Sequence, residues 1–352
     1  MGKLAVYKYV SMMFLVAQII VTIFTFMGLF GGNVTPVGNT ARAMTVYALP
    51  LLIAANLLLL VYWLLRRRWI YLLIPVITVA CCIPYMLTIV QPRSLNKAAE
   101  AQQGLKIATY NVHLFNRETS GFIALDVLAE MRRQKVDVLC MQEYSEVSGD
   151  KRNSESYKEY FPYMAVGKSD MVIYSRYPIK GSKKMEFEDT SNSAMWADID
   201  YNGNALRIFN VHLETTGINS TLHRAAKVMG PNLDMTDNRL MQAIFGNYML
   251  GMMFRAGQAI EISNEKRQSE KPVILCGDFN DVPYSFVYKT MLGNMVDGFK
   301  ECGSGWMRTF REGKKAVRID YIFHDEALKG ITYYKTDMTY SDHYPVFMKV
   351  TL

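Results

Sequence analysis

Gly277-Asp278-Phe279-Asn280-Asp281 follows the apolar run 273–276 of this 352-residue chain. An uncharged run that ends in Gly, Asp and Asn predicts a buried strand leading into a turn. Asp278 and Asn280 alternate across Phe279, so in extended backbone both side chains point to the same face. A carboxylate and a carboxamide at one strand end can orient a water molecule and hold a phosphoryl oxygen.

Five further blocks each place a polar, ligand-capable residue at or near the end of a β-type run. They are Thr109-Tyr110-Asn111-Val112-His113, Met141-Gln142-Glu143, Asn210-Val211-His212-Leu213, Arg318-Ile319-Asp320-Tyr321-Ile322 and Ser341-Asp342-His343-Tyr344-Pro345. Cleavage of a phosphate ester needs a base for the nucleophile, a donor for the phosphoryl oxygens and a hard cation. Carboxylate, carboxamide and imidazole groups can supply all three.

In this order, the six blocks resemble the endonuclease/exonuclease/phosphatase superfamily, the fold of DNase I-like nucleases, sphingomyelinases and inositol-phosphate phosphatases. The resemblance implies an α/β protein with a four-layer α/β sandwich (DNase I-like) over residues 105–352. The local pattern agrees, because β-like runs alternate with helical ones such as 122–134. Tyr201-Asn202-Gly203-Asn204 predicts a tight hairpin, since Asn-Gly tolerates the positive φ of a type I′ turn.

The resemblance also implies a metal site. It makes Glu143 the principal ligand, Asn111 its neighbour at the metal and Asp342 a further metal-associated carboxylate. The implied cofactor is Mg²⁺, with Mn²⁺ as a substitute. This agrees with the preference of Mg²⁺ for a few oxygen ligands and for waters that a substrate phosphate can replace.

The resemblance assigns catalytic roles to five other residues. Asp278 is the base that orients or deprotonates the attacking water, and Asn280 donates its amide to the phosphoryl group. His343 and His212 contact the phosphate, and Asp320 holds His343 in the required tautomer. Together they imply in-line attack of water on a phosphodiester or phosphomonoester.

The first part of the chain has a different composition. Runs 9–30, 43–65 and 69–92 contain no charged side chain, and each exceeds the roughly 20 residues that a membrane-spanning helix needs. Buried core helices and, for the first run, a cleaved signal peptide are the alternatives; a small-residue cleavage motif is not evident at 26–30. We expect an all-α transmembrane region over 1–92, a linker over 93–104, and a lipid bilayer as partner.

The distribution of positive charge predicts the orientation. Lys3 and Lys8 precede the first run, and the arginines at 66–68 lie on the same side after two crossings, whereas the loop 31–42 carries only Arg42. The expectation is a multi-pass membrane protein with an extracytoplasmic catalytic domain, periplasmic in a Gram-negative cell.

Charge balance bears on the substrate. The chain has 39 Lys or Arg and 32 Asp or Glu, and residues 1–93 hold seven of the former and none of the latter. The remainder is therefore formally neutral, whereas nucleic-acid binders normally carry a basic surplus. A lipid-linked phosphoester is favoured. A nucleic acid, or a catalytically inactive membrane interaction module, is the alternative, and no protein partner is identifiable.

A connection of about 57 residues between Leu213 and Lys271 is longer than usual. Its segment 240–254 is apolar and rich in methionine. Two interpretations stay open: a helix packed on the sheet, or an apolar flap beside the site that touches lipid.

Overall fold

The computed structural model describes residues 3–94, 97–116, 122–144, 151–168, 170–188, 190–217, 221, 238–311 and 317–352. These residues form two compact units. The first comprises Met1–Thr88 and Val282–Lys289, and the second comprises Ile89–Asp281 and Thr290–Leu352.

The first unit is built from apolar helices. They are α1 (Lys3–Gly31), α2 (Thr40–Met44), which continues through the 3₁₀ turn Thr45–Ala48 into α3 (Leu49–Leu65), and α4 (Trp69–Met86). Three stretches, Val6–Gly31, Thr40–Leu65 and Trp69–Met86, have mean hydropathies of 2.3, 2.3 and 2.0 and are long and apolar enough to cross a membrane. Helix α4, the third of these stretches, ends at Met86, six residues before the predicted end of the third apolar run at 92.

Polar side chains join the helices of this unit. Gln18 of α1 donates to Asn56 of α3 at 3.0 Å, and Asn56 donates to Thr25 at 2.9 Å. All three side chains are buried. Hydrogen bonds between buried polar side chains stabilise the packing of such apolar helices against one another.

The second unit is an α/β sandwich. Its strands are β1 (Val90–Gln91), β2 (Leu105–Asn111), β3 (Val138–Gln142), β4 (Tyr163–Val166), β5 (Met171–Ser175), β6 (Ile179–Glu186), β7 (Ser193–Tyr201), β8 (Asn204–His212), β9 (Val273–Asp278), β10 (Val296–Asp297), β11 (Gly305–Trp306), β12 (Asp320–His324), β13 (Lys329–Lys335) and β14 (Val346–Thr351). Its helices are α5 (Lys97–Glu100), α6 (Phe122–Arg133), α7 (Lys151–Tyr160), α8 (Asn238–Arg267) and α10 (Gly298–Cys302); α9 (Phe286–Leu292) begins in the first unit.

Two six-stranded sheets pack face to face. One has the order β10-β12-β9-β8-β7-β6 and the other β13-β14-β2-β3-β5-β4, while β1 pairs with β11 in a small ribbon. The predicted hairpin joins β7 to β8: Tyr201 pairs with Asn204, and Asn202 and Gly203 have φ of 53° and 88°. The turn therefore has the left-handed conformations that Asn and Gly accept most readily.

The core occupies two layers. Ile107, Val138 and Ile173 of one sheet meet Ile208 and Ile274 of the other between the sheets. A second cluster lies on the outer face of the β2-β3-β5 sheet, where α6 covers it with Ala124, Val127, Leu128 and Met131. Helix α8 buries Ala259 and Ile262 in its second half. The result is the predicted four-layer α/β sandwich.

The segment predicted to be a plain linker carries structure. Residues 90–91 form β1, and α5 follows at Lys97–Glu100. Glu100 bonds to the ammonium group of Lys106 and accepts the Thr332 hydroxyl at 2.8 Å. Segment 90–104 is therefore partly packed on the second unit, which itself begins at Ile89 rather than at 105.

Candidate active site

The ends of three strands bring three of the expected catalytic residues together. Asp278, the last residue of β9, pairs with His212 across the parallel neighbour β8 and with Asp320 across the antiparallel neighbour β12. Gly277 permits this approach. Its φ is +139°, and a Cβ there would lie 2.0 Å from the carbonyl oxygen of Val211.

Asn111 connects the two sheets at this end of the sandwich. It is the last residue of β2, and its amide nitrogen donates to Glu143 Oε1 at 3.0 Å and to Asp278 Oδ2 at 3.1 Å. Glu143 follows β3 with a φ of 47°, which turns its side chain out of the strand. We call the strand ends that carry Asn111, Glu143, His212, Asp278 and Asp320 the polar rim.

His343 lies between two carboxylates of the polar rim. Its Nδ1 is 3.0 Å from Asp320 Oδ2, and its Nε2 is 3.6 Å from Asp278 Oδ2. Burial would lower the pKa of His343, but Asp320 and Asp278 outweigh burial and raise that pKa to about 10. The imidazole is therefore protonated at neutral pH and can donate to an anionic oxygen.

Asp278 has properties expected of a base. It is buried, and burial is the main cause that raises its pKa to about 6, against the opposing effect of His343. Its Oδ1 accepts the backbone N–H of Asn280 at 2.9 Å. The Asn280 amide nitrogen donates to the Leu213 carbonyl at 2.9 Å, so one of its two N–H groups remains for another acceptor.

His212 has a side-chain partner, Asp170, that the sequence patterns had not indicated. Its Nδ1 is 3.3 Å from Asp170 Oδ2, and its Nε2 is 3.7 Å from Glu143 Oε1. Burial lowers the pKa of His212, but the bond to Asp170 and the nearby Asp278 and Glu143 carboxylates outweigh burial and raise it. Asp170 immediately precedes β5, and a carboxylate just before an apolar strand was its only sequence signal.

Asp342 lies close to the rim but bonds to a different histidine. His113 Nδ1 is 2.9 Å from Asp342 Oδ1, and the Ser341 hydroxyl donates to the Asn111 carbonyl at 2.7 Å. Burial raises the pKa of Asp342, but His113 and His343 outweigh it and lower that pKa. His113, at φ 46°, is half-exposed at this edge.

The donor set fits a hard divalent cation. Among the described residues, His212 Nε2 is buried without a hydrogen-bond partner, 3.7 Å from Glu143 Oε1, and contact with a bound ligand at that edge of the rim would satisfy it. The carboxylates of Asp278 and Asp320 and the imidazole of His343 also have ligand atoms within 4.8 Å of one another. The Glu143 carboxylate, beside the Asn111 amide at 3.0 Å, offers further oxygen ligand atoms at the same rim.

Two family models match the chain, one in each of its two parts. The sequence model of the Endonuclease/Exonuclease/phosphatase family matches residues 108–343, and a Domain of unknown function (DUF8431) matches residues 11–89. No curated protein matches the chain.

Several solved structures are similar in fold. A humanized D. rerio TDP2 with 14 mutations is 16% identical, with a TM-score of 0.50, over 70% of this chain and 99% of that one. The mannosyl-6-phosphatase Bt3783 of Bacteroides thetaiotaomicron is 18% identical over 70% and 100%, with a TM-score of 0.47. A Staphylococcus aureus beta toxin mutant with bound magnesium ions is 18% identical over 70% and 99%, with a TM-score of 0.47.

The family match covers more than half of the chain, and the two-sheet sandwich is the DNase I-like fold. The chain therefore belongs to the endonuclease/exonuclease/phosphatase family and is a hydrolase that acts on ester bonds.

Proposed function

We propose that this protein is a membrane-anchored, divalent-metal-dependent phosphoesterase that hydrolyses a phosphodiester or phosphomonoester by in-line attack of water. The observation that carries the proposal is the convergence at one rim of residues from positions 111 to 343. Asn111 Nδ2 lies within 3.1 Å of both Glu143 and Asp278, and His343 lies within 3.6 Å of both Asp278 and Asp320.

In the proposed reaction the side chains of the rim hold water and phosphate in position. The Asp278 carboxylate takes a proton from the attacking water, and its pKa of about 6 places it near the working pH of a base. Protonated His343 donates to the phosphoryl oxygens, where negative charge develops. Asp320, bonded to His343 Nδ1, fixes the orientation of that imidazole.

Two further groups, on His212 and Asn280, would also bind the phosphate. His212 presents Nε2 to the rim because Asp170 occupies Nδ1. The second N–H of the Asn280 amide would donate to another phosphoryl oxygen.

Glu143, with Asp342 nearby, would hold Mg²⁺ or Mn²⁺ by its carboxylate oxygens. Asn111 would add its amide oxygen, which in this structure accepts the His113 N–H at 3.1 Å. When bound, such an ion supplies positive charge that polarises the phosphoryl oxygen.

A basic cavity among the described residues does not support the nucleic-acid alternative. A cavity of about 480 Å³ is lined by Lys106, Lys135, Arg176 and Lys349. Lys106 is the second residue of β2, whereas Asn111 is its last, so the cavity lies at the opposite end of the strand, about 16 Å from the rim. Its basic residues therefore do not lead into the site.

The apolar helices and the positive charges at 3, 8 and 66–68 support a membrane anchor with an extracytoplasmic catalytic domain. A C-terminal fusion to a reporter that is active on only one side of the membrane tests this orientation. Activity of a reporter that requires the cytoplasm would contradict it.

Hydrolysis by the purified full-length protein tests the activity. We expect Mg²⁺- or Mn²⁺-dependent product release from bis(p-nitrophenyl) phosphate or p-nitrophenyl phosphate, abolished by EDTA and by Asp278→Asn. DNA, RNA and phospholipid vesicles in the same assay distinguish the substrate classes. Product release that persists in EDTA, or that Asp278→Asn leaves unchanged, would refute the mechanism. If the protein neither binds metal nor hydrolyses any of these substrates, a catalytically inactive membrane interaction module is favoured.

A further inference from the structure

The chain enters the second unit beside the polar rim. Ile89, only three residues after the end of α4, accepts the Met307 N–H at 2.9 Å. Two residues beyond Met307, the Thr309 hydroxyl accepts the N–H of Asp320 at 3.1 Å, and the Thr309 carbonyl accepts the N–H of Tyr344 at 2.7 Å. The first residues of this unit are thus bonded to the segment that holds Asp320, next to His343.

Helix α8 is fixed at the same rim. Arg255 donates from Nη1 to the carbonyls of Glu214 and Thr215, both at 3.1 Å, and Gln258 accepts the Glu214 N–H at 2.9 Å. Gly251 packs so closely that a Cβ would lie 2.5 Å from the Thr215 carbonyl oxygen. Glu214 and Thr215 follow His212 by two and three residues, so the middle of α8 lies at rim level.

The first half of α8 extends beyond this anchor. From Gly251 back to Asn238 the helix has 13 further residues, about 20 Å at the α-helical rise. Residues 238–250, which we call the α8 projection, are mostly exposed. Met241, Phe245 and Leu250 keep 47%, 50% and 47% of their surface accessible.

The composition of the α8 projection is unusual for a water-exposed helix. It contains one charged residue, Arg239, and no Asp or Glu, beside Ile244, Tyr248 and Met249. Apolar patches of this kind on a protein surface mark contact with another molecule or with a membrane. An apolar helix with a cation and no carboxylate suits the interface of a bilayer.

A lipid surface is the occupant that the chain itself favours. The apolar helix α4 ends three residues before Ile89, and Ile89 is bonded to Met307, in the segment next to the rim. The chain that leaves α4 thus reaches a segment bonded next to the rim within three residues. This short connection and the apolar exposure of the α8 projection are separate observations, and both favour lipid.

We propose that the α8 projection lies in the interfacial region of the bilayer and holds the polar rim against it, so that the substrate is a phosphoester carried by a membrane-embedded molecule. The inference rests on the proposed phosphoesterase function and specifies its substrate class.

Fluorescence quenching tests the contact with lipid without any substrate. A tryptophan is introduced into the full-length protein by Phe245→Trp, or by the matched control Ile260→Trp. Ile260 is 42% exposed on the packed half of the same helix. In vesicles of brominated phosphatidylcholine, we expect the added fluorescence of Phe245→Trp to be quenched at least about twofold more than that of Ile260→Trp. Equal quenching would overturn the proposal, and so would protection of Phe245→Trp through self-association of the chain.

A matched pair of esters tests the substrate class. Hexadecyl p-nitrophenyl phosphate in phosphatidylcholine vesicles and methyl p-nitrophenyl phosphate in solution share the same scissile bond. Phe245→Glu should lower kcat/KM for the vesicle-borne ester about tenfold, because it places a carboxylate in the interface. It should leave the soluble ester unchanged, and Ile260→Glu should leave both unchanged.

The outcomes separate the two proposals. An equal loss on both esters, or none, would refute membrane presentation of the substrate while the phosphoesterase function stands. If the unaltered protein cleaves neither ester, nor any phosphoester in the wider panel, the proposed function fails, and the quenching result alone then decides whether the α8 projection contacts lipid.

Discussion

Asp278 and Asp320 occupy paired positions on the antiparallel strands β9 and β12, and the imidazole of His343 approaches both carboxylates, at 3.6 and 3.0 Å. Two buried carboxylates so close together would repel each other, and the protonated imidazole between them offsets that repulsion. The three groups therefore form one electrostatically coupled unit.

Because the three groups act together, we expect the losses of activity caused by changing Asp278 and His343 to be non-additive. Asp278→Asn and His343→Gln should each lower kcat/KM for bis(p-nitrophenyl) phosphate at least about a hundredfold, the usual contribution of one proton-transfer or charge-stabilising group. The double variant should lose little beyond the worse single variant, because either change disables the same step. Thermal unfolding provides the control for folding. Losses that multiply would show that the two residues act independently.

Asp170 is predicted to position His212. The 3.3 Å contact to Nδ1 keeps Nε2 directed at the rim. Asp170→Asn should lower kcat about ten- to a hundredfold, the range found for groups that orient a functional histidine. The His212 ring ¹⁵N shifts should report a changed tautomer, a signal that a merely structural role would not alter.

The exposed change Glu186→Gln is the control for Asp170→Asn. Glu186 lies 3.9 Å from Lys168, and its side chain is 63% exposed. Unchanged ring shifts in Asp170→Asn, together with full activity, would contradict the positioning role.

Glu143 is predicted to dominate metal affinity. Glu143→Gln keeps the side-chain size and removes one negative charge from the proposed ligand set, so Mg²⁺ and Mn²⁺ should bind at least about tenfold more weakly. Isothermal titration calorimetry of the full-length protein in detergent measures this directly. Glu159→Gln, 77% exposed and paired with Arg132 on the surface, should bind like the unaltered protein. An unchanged Kd for Glu143→Gln would place the metal elsewhere.

A buried ion pair next to the site is predicted to control stability. Arg318 donates to both Asp297 oxygens at 2.7 and 2.8 Å, and both side chains are buried. Arg318→Met leaves a buried carboxylate without its cation, which should lower the free energy of unfolding by about 3–5 kcal/mol.

The double variant Arg318→Met/Asp297→Asn separates loss of charge balance from loss of packing. The pair is then neutral, and the introduced carboxamide would still accept the Phe299 N–H that Asp297 accepts at 3.0 Å. Thermal unfolding should therefore show partial recovery. A double variant no more stable than Arg318→Met would show that packing of the guanidinium, rather than charge balance, stabilises this region.

Most strands and the β7–β8 hairpin were predictable because they depend on local patterns. Strand β9, for example, follows from four apolar residues before a turn-forming pentad, and Asn202-Gly203 specifies its own turn. The extent of α4 was less predictable. Its uncharged run continues to 92, but residues 90–91 pair with β11, more than 200 positions away, and local composition carries no record of that pairing.

The site residues, too, were only partly predictable from the sequence. The resemblance named Asp278, Asn280, His212 and His343, and all lie at one rim. It did not reveal Asp170, whose partner His212 lies 42 positions along the chain. Nor did it decide whether segment 240–254 packs on the sheet or reaches outward. In the structure α8 is buried mainly from Gly251 onward, while Met241, Phe245 and Leu250 stay exposed.

Local sequence is enough to identify which segments are apolar enough for lipid, which strands end in carboxylate, amide or imidazole groups, and where the backbone must turn. These properties reside in single residues and their near neighbours. Tertiary structure alone decided which of those groups meet, because strand register and sheet packing join residues far apart in the chain. The pairing of Asp278 with Asp320, the selection of Asp170 for His212 and the exposure of half of α8 all follow from that long-range packing.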